Sequence, residues 1–185
     1  MSVKRPLFAV AAAMTLSGGT AFAAESPVET QSAAWQSHHV QFDYFGITAR
    51  YTCYGLEDKV RAILIYLGAR SDLSVRAQGC PRGGDSISRT AWVTADFSTL
   101  VPADAPASAA TTPASWTSLK LQADRPYFMG NGDCELIDQM RKVLSDNFSW
   151  RGQVSISASC QPHTVQIYDY HIQGEVLKAT PAPKS

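Results

Sequence analysis

The sequence predicts an α+β fold: a strand–helix–strand–strand (βαββ) unit that occurs twice, forming one antiparallel sheet of about six strands, with both helices packed on one face and two disulfides. Three observations lead to this prediction. Two amphipathic helical segments each begin beside a cysteine, and each is closed by a second cysteine, at Cys53 and Cys80 and at Cys134 and Cys160. Alternating apolar segments flank each helix in the same order. The pattern recurs at a nearly fixed interval, as in a duplicated unit.

The two helices are predicted from apolar residues spaced three and four apart, which places them on one helix face. They are Leu56, Val60, Ile63, Leu64 and Leu67 in the first segment and Leu136, Met140, Val143 and Leu144 in the second. Gly68 follows the first segment, where a left-handed terminating residue is favoured. Asp133 is the predicted N-cap of the second helix.

A shift of 80 residues aligns the helices, so that Leu56, Asp58, Arg61 and Leu64 each fall on an identical residue. Cys80 falls on Cys160 by the same shift, and the opening cysteines differ from it by one residue. Two unrelated amphipathic helices would share leucines by chance, but the shared Asp, Arg and cysteines favour duplication.

Predicted strands and segment boundaries complete the organisation. The strands are 40–44, 47–51, 73–80, 87–97, 116–127, 153–159 and 164–177. The predicted segments are a signal peptide (1–24), a flexible N-terminal segment (25–34), the first repeat (35–100), a Pro/Ala/Ser linker (101–115), the second repeat (116–178) and a disordered tail (179–185). The linker composition does not suit a sheet.

The first residues have the features of a secretory signal peptide. Lys4 and Arg5 precede a short apolar run that ends in Ala21-Phe22-Ala23, the small-x-small pattern of a signal peptidase site. The alternative, a membrane-spanning helix, needs about 20 apolar residues, which this run does not reach. We therefore expect a protein located in the periplasm or secreted, without integral membrane association.

Four cysteines in an exported chain predict two disulfides. All three possible pairings respect a two-fold relation between the repeats, so symmetry does not choose among them. Geometry favours Cys53–Cys80 and Cys134–Cys160, because a helix of about 14 residues and a returning strand of about 8 residues cover similar distances. Four free buried thiols are the alternative, and a zinc site is disfavoured because the sequence has no Cys-x-x-Cys pair.

Charge limits the classes of partner. Loss of Lys4 and Arg5 with the signal peptide lowers Lys+Arg from 16 to 14, against 16 Asp+Glu. This slightly acidic balance argues against nucleic acid, which requires a basic surface. The predicted partner is another envelope protein.

The segment Tyr51-x-Cys53-x-Gly55-Leu56, continued by Lys59-Val60-Arg61 and later by 67–69 (Leu-Gly-Ala), resembles a group of small exported proteobacterial proteins of no assigned function. The resemblance is strongest over residues 42–80. It implies a bacterial periplasmic setting and gives no catalytic residues to transfer.

No motif for a catalytic nucleophile, a phosphate loop or a dinucleotide site is present in the sequence. His163, Asp169 and His171 share parity on one predicted strand, but His163 and His171 would lie about 27 Å apart, which excludes a three-ligand site. We therefore assign no metal, no cofactor and no catalytic residue. Ordinary surface histidines are the simpler interpretation.

Tyrosines provide the candidate partner surface, because tyrosine gives large contact area at low entropic cost. The candidates are Tyr44, Tyr51, Tyr54, Tyr168 and Tyr170. The alternative is that aromatic residues simply suit half-buried strands. The favoured function is a non-catalytic interaction protein that binds through a sheet face or edge. An envelope enzyme, hydrolytic or metal-assisted, and a small-ligand carrier are the other hypotheses.

Overall fold

Six strands and two helices follow one another in the computed structural model, which describes residues 29–81, 84–103, 111–165 and 169–181. They are β1 (Thr30–Phe45), α1 (Cys53–Leu67), β2 (Ser74–Gln78), β3 (Thr90–Pro102), β4 (Thr112–Gln122), α2 (Cys134–Asp146), β5 (Trp150–Ala158) and β6 (Tyr170–Ala179). A 3-10 turn (Asn131–Asp133) precedes α2. The predicted signal peptide lies outside the described residues.

The strands form one antiparallel sheet in the order β2-β3-β1-β4-β6-β5, which confirms the predicted α+β class and six-stranded sheet. The two halves meet where Thr30–Ala33 of β1 pairs with Thr112–Ser115 of β4. Ser32 faces Pro113, 81 positions away, at the centre of this pairing, so strand order and register are symmetric about it. A duplicated unit would produce this symmetry, and the duplication itself stays a prediction.

Both helices pack on one face of the sheet, as predicted. Alternate residues of each strand point to this face because side chains in a strand have a period of two. Val93, Ala95 and Phe97 of β3 and Leu119 and Leu121 of β4 are examples. They join the apolar faces of α1 and α2 in one buried cluster that extends across both halves.

The ends of α1 follow the sequence. Thr52 is its N-cap and accepts a hydrogen bond from the Gly55 amide at 2.9 Å. Gly68 ends the helix in the left-handed conformation, with φ of 108°, as predicted. Asp133 occupies the N-cap position of α2, but its carboxylate makes no capping hydrogen bond and binds other groups instead.

The two disulfides have the predicted pairing. Cys53 is bonded to Cys80 and Cys134 to Cys160, with Cα atoms 5.8 and 5.6 Å apart. Each bond therefore joins the first turn of a helix to the chain just beyond the following strand. This arrangement fixes both helix N-termini over the sheet.

Several predicted boundaries are wrong. β1 begins at Thr30, inside the segment predicted to be flexible, because its first residues pair with β4. β3 and β4 also extend into the predicted linker, of which residues 104–110 lie outside the described residues. β6 reaches Ala179, the first residue of the predicted tail.

The predicted strand 47–51 is also wrong. This segment is a loop in which only Tyr51 makes an isolated bridge, to Ser88. The amides of Ile47 and Thr48 bind the Glu135 carboxylate instead of a neighbouring strand, at 2.9 and 3.0 Å. A side chain from α2 thus replaces the sheet as hydrogen-bond partner.

None of the helices in the described ranges is long and apolar enough to cross a bilayer.

Candidate binding surface

The sheet face opposite both helices is the candidate binding surface, and we call it the open face. It is formed by the strand residues that alternate with those of the core. From one edge to the other, the open face comprises Ser74, Arg76 and Gln78 of β2; Trp92, Thr94, Asp96, Ser98 and Leu100 of β3; Ala33, Trp35, Ser37, His39, Gln41, Asp43 and Phe45 of β1; Ala114, Trp116, Ser118, Lys120 and Gln122 of β4; His171, Gln173, Glu175 and Leu177 of β6; and Arg151, Ser155 and Ser157 of β5.

Three of the four tryptophans lie on this face: Trp35, Trp92 and Trp116. Trp35 and Trp116 pack against a small buried cluster formed by Ala33, Leu100, Ala114 and Leu177. Trp92 lies nearer the β2 edge and is 48% exposed. The fourth tryptophan, Trp150, belongs to the helix side, where its indole N–H donates to the Leu144 carbonyl at 3.0 Å. Tryptophan on a solvent-facing sheet surface is typical of interaction sites.

An arginine lies over each central tryptophan. The Arg70 guanidinium is 5.6 Å from the Trp35 ring centre, and that of Arg151 is 5.4 Å from the Trp116 ring centre. Both tryptophans and both arginines are 81 positions apart, so the same cation–π pair occurs once in each half. This contact restricts each guanidinium and stabilises it by about 0.5–1 kcal/mol at an exposed site.

Each stacked arginine also binds one carboxylate of its own half. The Arg70 Nε donates to Asp72 and the Arg151 Nε to Glu175, both at 2.8 Å. These hydrogen bonds hold the pKa of each carboxyl below its usual range and raise the pKa of each guanidinium. Because a guanidinium has five N–H donors, each arginine keeps further donors for another ligand.

A shallow cleft lies beside each arginine. The first, which we call the acidic cleft, has a volume of about 360 Å³, and the charged or titratable groups at its wall are His39, Arg70, Asp72 and Asp96. The second, the basic cleft, has a volume of about 400 Å³ and contains Lys120, Arg151 and Glu175. Ser37 and Ser118, again 81 positions apart, occupy equivalent places in the two clefts.

The histidines are distributed over both sides of the sheet. On the open face, the His39 Nδ1 lies 2.6 Å from Asp96, and the His171 Nε2 lies 2.9 Å from the Ser155 hydroxyl. His38 faces the helices, where burial lowers its pKa and its Nε2 lies 2.8 Å from the Thr99 hydroxyl. Within the part of the chain that the structure describes, no three His, Cys, Asp or Glu side chains are grouped as metal ligands.

The predicted tyrosine surface is wrong for most of its members. Tyr44 and Tyr170 are only 2% and 1% exposed, because both occupy strand positions that point toward the helices. Tyr51 is half-buried and its hydroxyl donates to Asp133. Tyr54 is exposed, but it lies on α1 and far from the sheet's open side. Tyr168 lies outside the described residues.

Three of these tyrosines surround a sealed polar cluster between the two helix N-termini. Asp133, 4% exposed, accepts hydrogen bonds from the Tyr51 hydroxyl, the Lys59 ammonium at 2.8 Å and the Gly130 amide at 2.7 Å. The Tyr170 hydroxyl donates to the Gly130 carbonyl at 2.7 Å. Burial, followed by the charge of Asp133, raises the pKa of Tyr51 and Tyr170.

Glu135 extends this cluster to the loop after β1. Its carboxylate accepts the Ile47 and Thr48 amides, and the Tyr44 hydroxyl donates to the Ala49 carbonyl at 2.8 Å in the same loop. Burial is the main cause of the raised pKa of Tyr44, with Glu135 contributing next. Since these groups bind one another and are closed to solvent, the cluster stabilises the fold and offers no access for a substrate.

The Arg–Trp pairs and their clefts were missed from the sequence. The signal was present, because the internal shift that aligns the helices also aligns Trp35 with Trp116 and Arg70 with Arg151 once one residue is added. Comparisons with protein-family models, curated proteins and solved structures found no match to this chain.

Proposed function

We propose that this chain is an exported, non-catalytic interaction protein that binds another envelope macromolecule through its open face. The observation that supports this most is the position of three of the four tryptophans on the face opposite the helices. Tryptophan and arginine are enriched among the residues that dominate binding energy in protein interfaces. The open face combines both residue types with few lysines and glutamates, which is the composition of an interface core.

The rigidity of this face favours binding without large rearrangement. Its side chains project from strands rather than loops, and the two central indoles are held by arginines and by the small apolar cluster beneath them. Side chains that are already ordered lose less conformational entropy when a partner binds. The open face is therefore suited to specific recognition.

Export is supported by two independent features. The sequence has the charge, apolar run and cleavage pattern of a signal peptide. The four cysteines are all paired in disulfides, which form and persist in oxidising compartments. A periplasmic or secreted location follows as part of the proposal.

A non-catalytic role is supported by where the perturbed titratable groups lie. The tyrosines with raised pKa, Tyr44, Tyr51 and Tyr170, belong to the sealed cluster and not to either cleft. In the clefts, the arginines and carboxylates pair with one another at the surface. Catalytic acids and bases usually combine a perturbed pKa with access to a substrate, and the two properties are separated here.

The test is crosslinking and affinity capture of the mature protein from the periplasm, comparing the wild type with Trp92→Ser. We expect the substitution to reduce capture of the main partner at least tenfold, because it removes the most exposed tryptophan of the open face. Tyr127→Ser is the matched control, since Tyr127 is 95% exposed on the loop between β4 and α2. Equal capture by all three proteins would refute binding through the open face.

Location is tested separately by cell fractionation and N-terminal sequencing. We expect a periplasmic or secreted protein whose first residue follows the Ala21-Phe22-Ala23 segment. A full-length cytoplasmic protein would contradict the proposed export.

A further inference from the structure

The two clefts of the open face are equivalent in position but opposite in charge. With neutral histidine, the acidic cleft contains one arginine and two aspartates, a net charge of −1. The basic cleft contains one lysine, one arginine and one glutamate, a net charge of +1. The difference arises at aligned positions, where His39 corresponds to Lys120 and Asp72 to Gln153 at the interval of 81.

Other charges on the open face do not cancel this difference. In the first half, Asp43 and Arg76 are one of each sign. In the second half, Glu29 approaches Arg151 at 3.9 Å from outside the basic cleft and is 88% exposed. His171 binds Ser155 and does not line the basic cleft. The surfaces around Asp96 and Lys120 therefore remain complementary to each other.

From this juxtaposition we infer that the partner of the open face is a second copy of this chain, whose basic cleft lies on the acidic cleft of the first copy. The inference depends on the proposed use of the open face for binding. A two-fold axis in the interface, perpendicular to the line joining the clefts, places each acidic cleft on a basic one. Both contacts are then identical, as in a closed isologous dimer.

The size of the open face suits such a dimer. Each three-stranded half is about 14 Å wide and about 30 Å long, given the usual strand spacing and rise per residue. Together the halves provide about 850 Å² per copy, close to the roughly 800 Å² per partner of a standard stable interface. The exposed Trp92 and Phe45 supply apolar area beside the charged clefts. The alternative two-fold axis, along the line joining the clefts, would oppose like charges and is disfavoured.

The test is sedimentation velocity of the mature, disulfide-bonded protein over a range of concentrations, at low and high salt. We expect a monomer–dimer equilibrium that weakens as salt is added, because the complementary charges become screened. Lys120→Asp alone and Asp96→Lys alone should each raise the dimer dissociation constant about tenfold or more, since each places like charges together twice per dimer. The double variant should restore dimerisation, because it exchanges the two charges.

Lys142→Asp is the matched control, because Lys142 is an exposed lysine on α2, on the other side of the sheet. It should leave the dissociation constant unchanged, and circular dichroism of every variant checks that it is folded. A wild type that stays monomeric at all concentrations would overturn the inference, as would a dimer that is insensitive to both single substitutions.

The two proposals fail separately. A monomer that captures a different envelope protein, and loses it on Trp92→Ser, would refute the second copy but keep the open face as a binding surface. A monomer whose capture is unchanged by Trp92→Ser would refute both.

Discussion

Removal of the Asp133 carboxylate should destabilise the protein more than loss of any surface ion pair. Asp133→Ala leaves the Lys59 ammonium, whose side chain is 19% exposed, without its counter-ion. It also removes the acceptor of the Tyr51 hydroxyl and the Gly130 amide. Breaking a buried ion pair by removing one partner typically costs about 3–5 kcal/mol.

The assay is equilibrium unfolding in urea with both disulfides intact, from which the midpoint and the slope are obtained. A loss of about 4 kcal/mol lowers Tm by about 10 °C for a domain of this size. Asp138→Ala is the control, because it breaks the exposed pair with Arg141 and should cost less than about 1 kcal/mol.

A double-mutant cycle separates the pair from the rest of the cluster. Lys59→Met removes the charge that Asp133→Ala would leave unpaired, so the double variant should be more stable than the sum of the single losses predicts. The expected coupling is about 1–3 kcal/mol. If Asp133→Ala unfolds within about 1 kcal/mol of the wild type, the sealed cluster does not stabilise the fold and our reasoning is wrong.

Three further predictions concern the fold. Replacing either cysteine pair by serine should cost about 3.5 kcal/mol in chemical unfolding, and the two losses should be similar because the sequence separations are 27 and 26; a loss from one pair only would contradict this. Stability should fall above about pH 10, the ordinary pKa of tyrosine in the unfolded chain, because Tyr44, Tyr51 and Tyr170 have raised pKa when folded and are neutral there, so the unfolded state binds fewer protons; the expected slope for three groups is about 4 kcal/mol per pH unit, and a urea midpoint unchanged to pH 11 would refute it. Glu135→Gln should speed hydrogen exchange of the Ile47 and Thr48 amides about tenfold, as the charged acceptor is lost, with the exchange of core strand β3 as internal reference.

The sequence was sufficient for the architecture because periodicity and cysteine spacing are local signals. The leucines of α1 and α2 define one buried face each, and the lengths of helix and strand determine which cysteines meet. Strand ends were less predictable, since the pairing of Thr30–Ala33 with β4 depends on a partner about 80 residues away. The loop at 47–51 has strand-like alternation, and only the distant Glu135 carboxylate shows why it is not a strand.

The candidate site was harder to predict than the fold. Tyrosine content favoured a tyrosine surface, but a strand residue is exposed or buried according to its register, and a shift of one position reverses the outcome. Tyr44 lies one position from Phe45, and Tyr170 one position from His171; in each pair the first residue faces the core and the second the open face. Composition alone does not contain that information, whereas the repeated Arg and Trp positions do.

The contacts between the halves indicate that neither half would be stable alone. The Lys178 ammonium of β6 binds the carbonyl of Tyr66 at the end of α1, and the Thr99 hydroxyl of β3 binds the carbonyl of Asn147 just after α2, at 2.7 Å. Each helix therefore ends on a strand of the other half. Since Lys59 with Asp133 also joins the halves, through the N-terminal parts of the two helices, unfolding one half would leave buried polar groups of the other unpaired. The protein should consequently unfold as one cooperative unit, with coincident transitions for the Trp92 and Trp150 environments.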